Sequence, residues 1–298
     1  MSFARILAPL SGAPAEEAEA AAGDRDVAVT ALALAETFKA QLRFLHVSID
    51  PTRALPLLGE GMSGAMAAQL TEDLTAQAER SNDAALALFR QLCSERGLPV
   101  LGEGEKPRPG AFSVAYERVD GVEEEAVTAK AKLCDLTIVP HPGRQEGGIS
   151  PTLEGVLFNS GRPLLVAPEG GFDSLPKKMA VAWNGSAESA RAVALAMPLL
   201  LRAQEVVVVS GEGEDAAPEA RPSALAGLLE AHGLNAATWR YQPEDWPVAR
   251  SLVEETRKSG ARLLVMGAYG HSRVREMLLG GATREAMKAG DLGLVMAH

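Results

Sequence analysis

Basic side chains are in the minority here. Against 39 Asp and Glu there are 29 Lys and Arg, a net charge of −10. A phosphate backbone needs clustered cations, so a nucleic-acid partner is not expected. A small nucleotide needs only a local pocket and is not excluded. Cysteine is almost absent. Cys93 and Cys134 are too far apart for a metal motif, and a chain of 298 residues needs no disulfide. Both read as buried thiols, Cys134 in a strand-like run and Cys93 in a helical one. Aromatic residues make up 4%, so Leu, Val, Ile and Ala must fill the cores. Alanine-rich helices against Val/Leu-rich strands suit an α/β protein. No apolar run approaches the roughly 18 residues of a membrane span. No basic segment followed by an apolar one opens the sequence, so neither a membrane anchor nor a signal peptide is expected. The expected location is cytoplasmic.

Several catalytic signatures are missing as well. There is no G-x-x-x-x-G-K-[ST] loop, hence no P-loop lysine and no Mg²⁺-binding hydroxyl after it. No S-G-G-x-D-S loop and no G-x-S-x-G nucleophile elbow occurs. The five histidines are scattered and none has H-E-x-x-H spacing. Binding is therefore expected ahead of turnover, and no catalytic residue or prosthetic group is assigned. Any phosphoryl transfer would be slow, since only positioning and electrostatics are on offer.

What the chain does contain is the same plan twice. Residues 4–12 and 178–186 each carry a basic residue, a short apolar strand and a small polar turn with glycine. Residues 134–143 match 261–270, and 161–168 match 290–297, in the same order. A period this long means two similar domains and not a solenoid. They are placed at 1–168 and 177–298, with 169–176 as a linker rich in Gly and Pro.

In the second half, strands are expected at 179–183, 205–210, 236–241, 263–266 and 292–297. Helices are expected at 187–201, with Ser186 as N-cap, and at 222–232, 247–259 and 282–289. Five strands with helical crossovers make a mainly parallel sheet covered on both faces. The first half follows this order with extra material at 50–70 and 101–109, read as long loops or insertions, and with a segment at 13–26 that is longer than its counterpart and dense in Ala and Glu. Glu123, Glu124 and Glu125 open a helix, where acid suits the dipole.

The chemistry concentrates near the end of the chain. An apolar run stops at Met266–Gly267; Gly270 follows, then Gly280, Gly281, Ala282 and Thr283. Glycines between a buried strand and a helix carry backbone N–H groups outward, an arrangement suited to phosphate. The plain alternative is turn chemistry, with Gly270 supplying a positive φ. His271, Arg273 and Arg275 lie between the glycines; they either supply cations to a phosphate or form a solvated face. In the first half Pro140 replaces the first glycine and Pro151–Thr152 the glycine pair. Proline cannot donate an N–H, so no phosphate site is expected there. Trp183 either walls a base pocket or packs at its strand end. Trp239 and Trp246 are read as edge cover.

The spacing G-x2-G-x9-G of Gly267, Gly270 and Gly280, with the residues between and the opening turn at Trp183–Ser186, resembles the universal stress protein family. The whole chain is similar to its tandem members. The resemblance implies two tandem Rossmann-like domains of the adenine nucleotide α-hydrolase type, each a five-stranded mainly parallel sheet flanked by helices. It implies a regulatory, stress-response protein holding an adenine nucleotide, ATP ahead of ADP and AMP and accompanied by Mg²⁺, on the glycine loop of the second domain. The residues carried over are Met266, Gly267, Gly270, His271, Gly280, Gly281, Ala282 and Thr283 for the phosphates, Asn184 near the adenosine, and Ser210 and Gly211 on the adenine side. Two positions depart from the pattern. Gly281 stands for a Ser or Thr and loses a hydroxyl ligand while keeping the N–H. Asn184 stands for Asp and loses a charged acceptor. The resemblance also implies an internal pseudo-dimer formed through strands at 164–167 and 292–297; a homodimer of whole chains is a further option. Two other readings stand beside this one: a nucleotide-free interaction module, and a slow ATP hydrolase.

Overall fold

The computed structural model describes residues 2–49, 64–102, 104–143, 150–211, 217–241, 248–268 and 281–298. The first half runs β1 (Arg5–Leu10), α1 (Ala18–Phe38), β2 (Gln41–Ile49), α2 (Gly64–Arg96), β3 (Ser113–Gly121), α3 (Glu123–Ala131), β4 (Leu136–Val139), α4 (Pro151–Asn159) and β5 (Leu164–Val166). The second runs β6 (Lys178–Ala182), α5 (Ala187–Leu200), β7 (Glu205–Ser210), α6 (Pro222–Ala231), β8 (Ala236–Arg240), α7 (Val248–Lys258), β9 (Leu263–Gly267), α8 (Gly281–Ala286) and β10 (Gly293–Ala297).

All ten strands form one sheet, ordered β3-β2-β1-β4-β5-β10-β9-β6-β7-β8. Neighbours within each half are parallel. The halves meet through β5 and β10, which pair antiparallel with Leu165 opposite Val295. The strands around this seam are buried along their whole length, as the apolar runs at 136–139, 164–166 and 293–297 require. The outer strand β8 is largely exposed and carries Trp239, whose indole N–H donates to Glu255 Oε2 at 2.7 Å. Trp246 lies outside the described residues.

Alternation along the strands feeds two core layers. Ile6, Ala8, Val206 and Val208 face a layer with α1, α2, α5 and α6. Leu7, Val207 and Val209 face the opposite layer with α3, α4, α7 and α8. None of the helices among the described residues is long and apolar enough to cross a membrane.

The structure departs from the sequence reading in four places. Residues 64–70, read as part of a long loop, are the first turns of α2. Helix-favouring Ala and Gln and local bonds such as Gln69 Nε2 to Asp73 Oδ1 (3.1 Å) outweigh the loop-like Met/Gly composition. Helix α8 ends at Ala286, short of 289, because Lys288 and Ala289 bond back to Glu285 and Ala286 in a tighter i→i+3 pattern. Cys134 sits in the turn before β4 and not in a strand; burial pushes its thiol up to about 11. Cys93 is only half-buried, on α2.

The fourth departure is the segment read as a linker. Its backbone turns at Gly170 and Gly171, and Phe172 is 2% exposed. The Phe172 N–H donates to Thr30 Oγ1 of α1 at 3.0 Å. Its ring lies against Gly293, where an added Cβ would come within 2.6 Å of it, and under the Arg262 guanidinium at 5.4 Å. This stretch is a packed strap joining α1 to the ends of β9 and β10.

Candidate functional site

In a doubly wound sheet, ligands bind beyond the carboxyl ends of the strands where the chain order reverses. The strand order gives this chain two such points, between β1 and β4 and between β6 and β9.

At the second point β6 ends and the chain turns through Trp183, Asn184, Gly185 and Ser186. Asn184 is exposed, and its Oδ1 accepts the Ser186 N–H at 3.1 Å, closing an Asx turn. Ser186 caps α5 by accepting the Ser189 N–H at 3.2 Å, as its position predicts. Gly185 has φ +73°, and a Cβ there would meet the Ala220 backbone at 2.8 Å. The 3₁₀ turn Pro218–Ala220 therefore lies directly over this loop. Trp183 is tied to the same turn, donating its indole N–H to the Glu219 carbonyl at 3.0 Å, and its ring packs on the core.

The neighbouring strand β7 brings Ser210 and Gly211. Ser210 is buried, and its carbonyl accepts the Tyr241 N–H at 3.2 Å. The Tyr241 ring lies on Gly211, within 2.9 Å of where a Cβ would stand. On the other side, β9 ends in buried Met266 and then Gly267. A Cβ on Gly267 would come within 2.6 Å of the Glu188 carbonyl carbon and the Ser189 nitrogen in the first turn of α5. Strand end and helix start are thus in backbone contact, and only glycine fits between them. Thr283 is buried in α8, where its carbonyl accepts the Met287 N–H at 2.9 Å. Gly281 and Ala282 are the first residues of that helix. Gly270, His271 and Gly280 lie outside the described residues, as do Arg273 and Arg275. The described part of the site thus joins Asn184 and Gly267 at one reversal point, with Ser210 and Gly211 one strand further out. Since α8 has only six residues, any anion there would rest on individual N–H groups more than on a helix dipole.

The first point is built differently, by a residue the sequence reading did not single out. Asp24 of α1, 4% exposed, accepts the N–H groups of Ser11 and Gly12, both at 2.8 Å, and the Ser11 hydroxyl at 3.1 Å. The turn after β1 already holds an anion, and that anion belongs to the chain. Beside it, the Cβ of Pro140 packs against Gly23 of α1 at 3.2 Å from the Cβ position. At the start of α4, Pro151 has no N–H, Ser150 takes the Leu153 N–H at 3.2 Å, and the Thr152 hydroxyl donates to Glu123 Oε1 at 2.9 Å. Gly147 and Gly148 lie outside the described residues. Among the described residues, the N–H groups of Ser11, Gly12 and Leu153 are thus spent on the chain's own side chains. No sequence signal marks Asp24, because its partners are twelve and thirteen residues away and only folding brings them together.

Burial raises the Asp24 carboxyl above the usual aspartate range, and the hydrogen bonds from Ser11 and Gly12 offset part of that. The folded protein therefore holds a proton at Asp24 in a pH window where the unfolded chain has lost it. Stability from this group is present below the unfolded pKa and is lost as pH rises through the folded one. Asp24→Asn removes that titration. Urea denaturation of both proteins between pH 3.5 and 7 is expected to show the wild type losing ground to the variant as pH rises. Parallel stability curves, or the opposite slope, would overturn this account.

By sequence, the chain matches no family model, and no curated protein matches it. By structure it has clear relatives. A universal stress protein from Archaeoglobus fulgidus superposes with a TM-score of 0.61, covering 98% of this chain and 97% of that one at 13% identity. A functionally unknown protein from Pseudomonas aeruginosa superposes with a TM-score of 0.56, covering 99% and 92% at 14% identity. The doubled five-strand order, the seam through the last strands and this end-to-end superposition agree: the chain has the fold of a tandem, two-domain universal stress protein.

Proposed function

We propose that the chain is a regulatory protein that binds one adenine nucleotide, in its second half only, and does not turn it over. The observation that carries this reading is Gly267. It sits at the reversal point between β6 and β9, in backbone contact with α5, and it begins the series Gly267, Gly270, Gly280 and Gly281. Backbone N–H groups of that series would hold the phosphates, and Asn184 and Ser210 would lie toward the nucleoside. ATP is the first candidate. Mg²⁺ would arrive on its phosphates; among the described residues no group of three His, Cys, Asp or Glu side chains could hold the ion alone. The contrast with the first half supports a single site, since Asp24 and Pro140 occupy the corresponding positions there.

Calorimetric titration with ATP, ADP and AMP tests the reading. One nucleotide per chain is expected, with binding lost in Gly280→Val and weakened several-fold in Asn184→Ala, which removes a single side chain's hydrogen bonds. Folded protein that gives no heat at millimolar nucleotide would end it. One observation favours the nucleotide-free alternative: the Tyr241 ring already lies on Gly211, on the side where the base would sit. If that ring blocks the base, Tyr241→Ala binds ATP more tightly than the wild type; if it lines the pocket, the same change weakens binding.

A further inference from the structure

A cleft of about 470 Å³ opens at the opposite edge of the sheet, where β1 and β2 begin. None of its lining belongs to the nucleotide site proposed above. Its charged lining is Arg5, Lys39, Arg108 and Asp135, three cations and one anion in a chain of net charge −10. The one carboxylate is engaged through one oxygen: Asp135 Oδ2 accepts the N–H groups of Ala4 at 2.7 Å and Arg5 at 3.0 Å.

Most of the polar side chains that remain are donors, and the Ser2 hydroxyl can serve either way. Arg5 is held by Gln41 Oε1 at 3.1 Å and by the Leu133 carbonyl at 3.2 Å, which spends two of a guanidinium's five N–H groups. Gln41 is only 5% exposed, its oxygen already accepts from Arg5, and its amide N–H groups add further donors. Lys39 closes α1 in the left-handed conformation, φ 52°, at the cleft wall. Neither Lys39 nor Arg108 has an ion-pair partner among the described residues. Three cations against one carboxylate, with most side-chain groups donating, favour an anion. Much of the remaining wall is apolar: Phe3 and Phe38, tilted against each other with ring centroids 5.0 Å apart, with Pro107, Pro109 and Leu133. The volume falls within the range of small-molecule sites, about 300–1,000 Å³, and exceeds what an inorganic anion fills.

We propose that this cleft is a second ligand site, for a small organic anion that places a carboxylate, sulfonate or phosphate against Arg5, Lys39 and Arg108 and an apolar body against Phe3 and Phe38.

Fluorescence titration of the full chain with two dyes tests it: anionic 1-anilinonaphthalene-8-sulfonate and the neutral N-phenyl-1-naphthylamine, of similar shape. The sulfonate is expected to bind one per chain. In Lys39→Gln/Arg108→Gln its affinity should fall at least about tenfold, while that of the neutral dye changes less than about twofold. Ala111→Trp, at an exposed position of the lining, should remove both by filling the cleft. Millimolar ATP should displace neither. Sulfonate affinity unchanged in the double variant, equal losses of the two dyes there, or full binding in a folded Ala111→Trp protein would each overturn the proposal.

Discussion

Phe172→Ala is expected to destabilise the protein by about 3–5 kcal/mol, the usual cost of removing a buried phenylalanine ring. The segment around it has linker composition, and a true linker would tolerate the change. Here the ring is 2% exposed, lies on Gly293 and is covered by Arg262, and its backbone is tied to Thr30. A cavity at that place loosens α1 from the β9 and β10 ends together. The check is urea denaturation followed by both tryptophan fluorescence and far-ultraviolet dichroism. The midpoint should drop in one transition seen alike by both probes. A loss below about 1 kcal/mol, the range of ordinary surface substitutions, would mean that the ring is not packed as described.

Gly267→Val should be nearly as severe, about 3 kcal/mol, and should abolish nucleotide binding at the same time. The new Cβ would meet backbone atoms of Glu188 and Ser189, which cannot rotate aside as a side chain can. Overpacking of this kind typically costs about 1–3 kcal/mol, and an immovable neighbour puts it at the upper end. This changes how a binding defect is interpreted. Loss of ATP binding in Gly267→Val would report a displaced α5 as much as a lost phosphate contact. Thermal denaturation has to accompany the calorimetry. A variant with the wild-type midpoint would show that the strand end and α5 do not meet so closely.

Much of the architecture was legible because its signals are local. Apolar runs ending in turns, Ser186 before α5 and Pro222 at the start of α6 each mark an element boundary by their own chemistry. The seam between halves could be anticipated at 164–167 and 292–297 from the resemblance. Features that depend on long-range contact were not legible. Asp24 looks like any acidic residue in an Ala/Glu-rich stretch until α1 folds back over the turn after β1. Phe172 is masked by the Gly and Pro around it. The start of α2 was hidden by the glycines at 59, 61 and 64, which weaken the helical signal before the periodic stretch begins. At the candidate site, Met266 and Gly267 stood out through the glycine spacing and the repeat, while Asn184, Ser210 and Gly211 were named through the family resemblance alone. What lies over them was not: the Pro218–Ala220 turn and the Tyr241 ring belong to connections that carry no motif.

Both halves make the same close approach between the fourth strand and the first helix, and in each a glycine makes it possible. In the second half the glycine is on the strand, Gly267 against Glu188 and Ser189; in the first it is on the helix, Gly23 against Pro140. The two sides of this contact are therefore mutationally coupled. Returning Pro140 to glycine would restore a backbone donor but leave a gap beside Gly23. Enlarging Gly23 alone would drive its side chain into the proline ring. With Asp24 also holding the adjacent turn, neither change alone would free the Ser11 and Gly12 N–H groups for an outside anion.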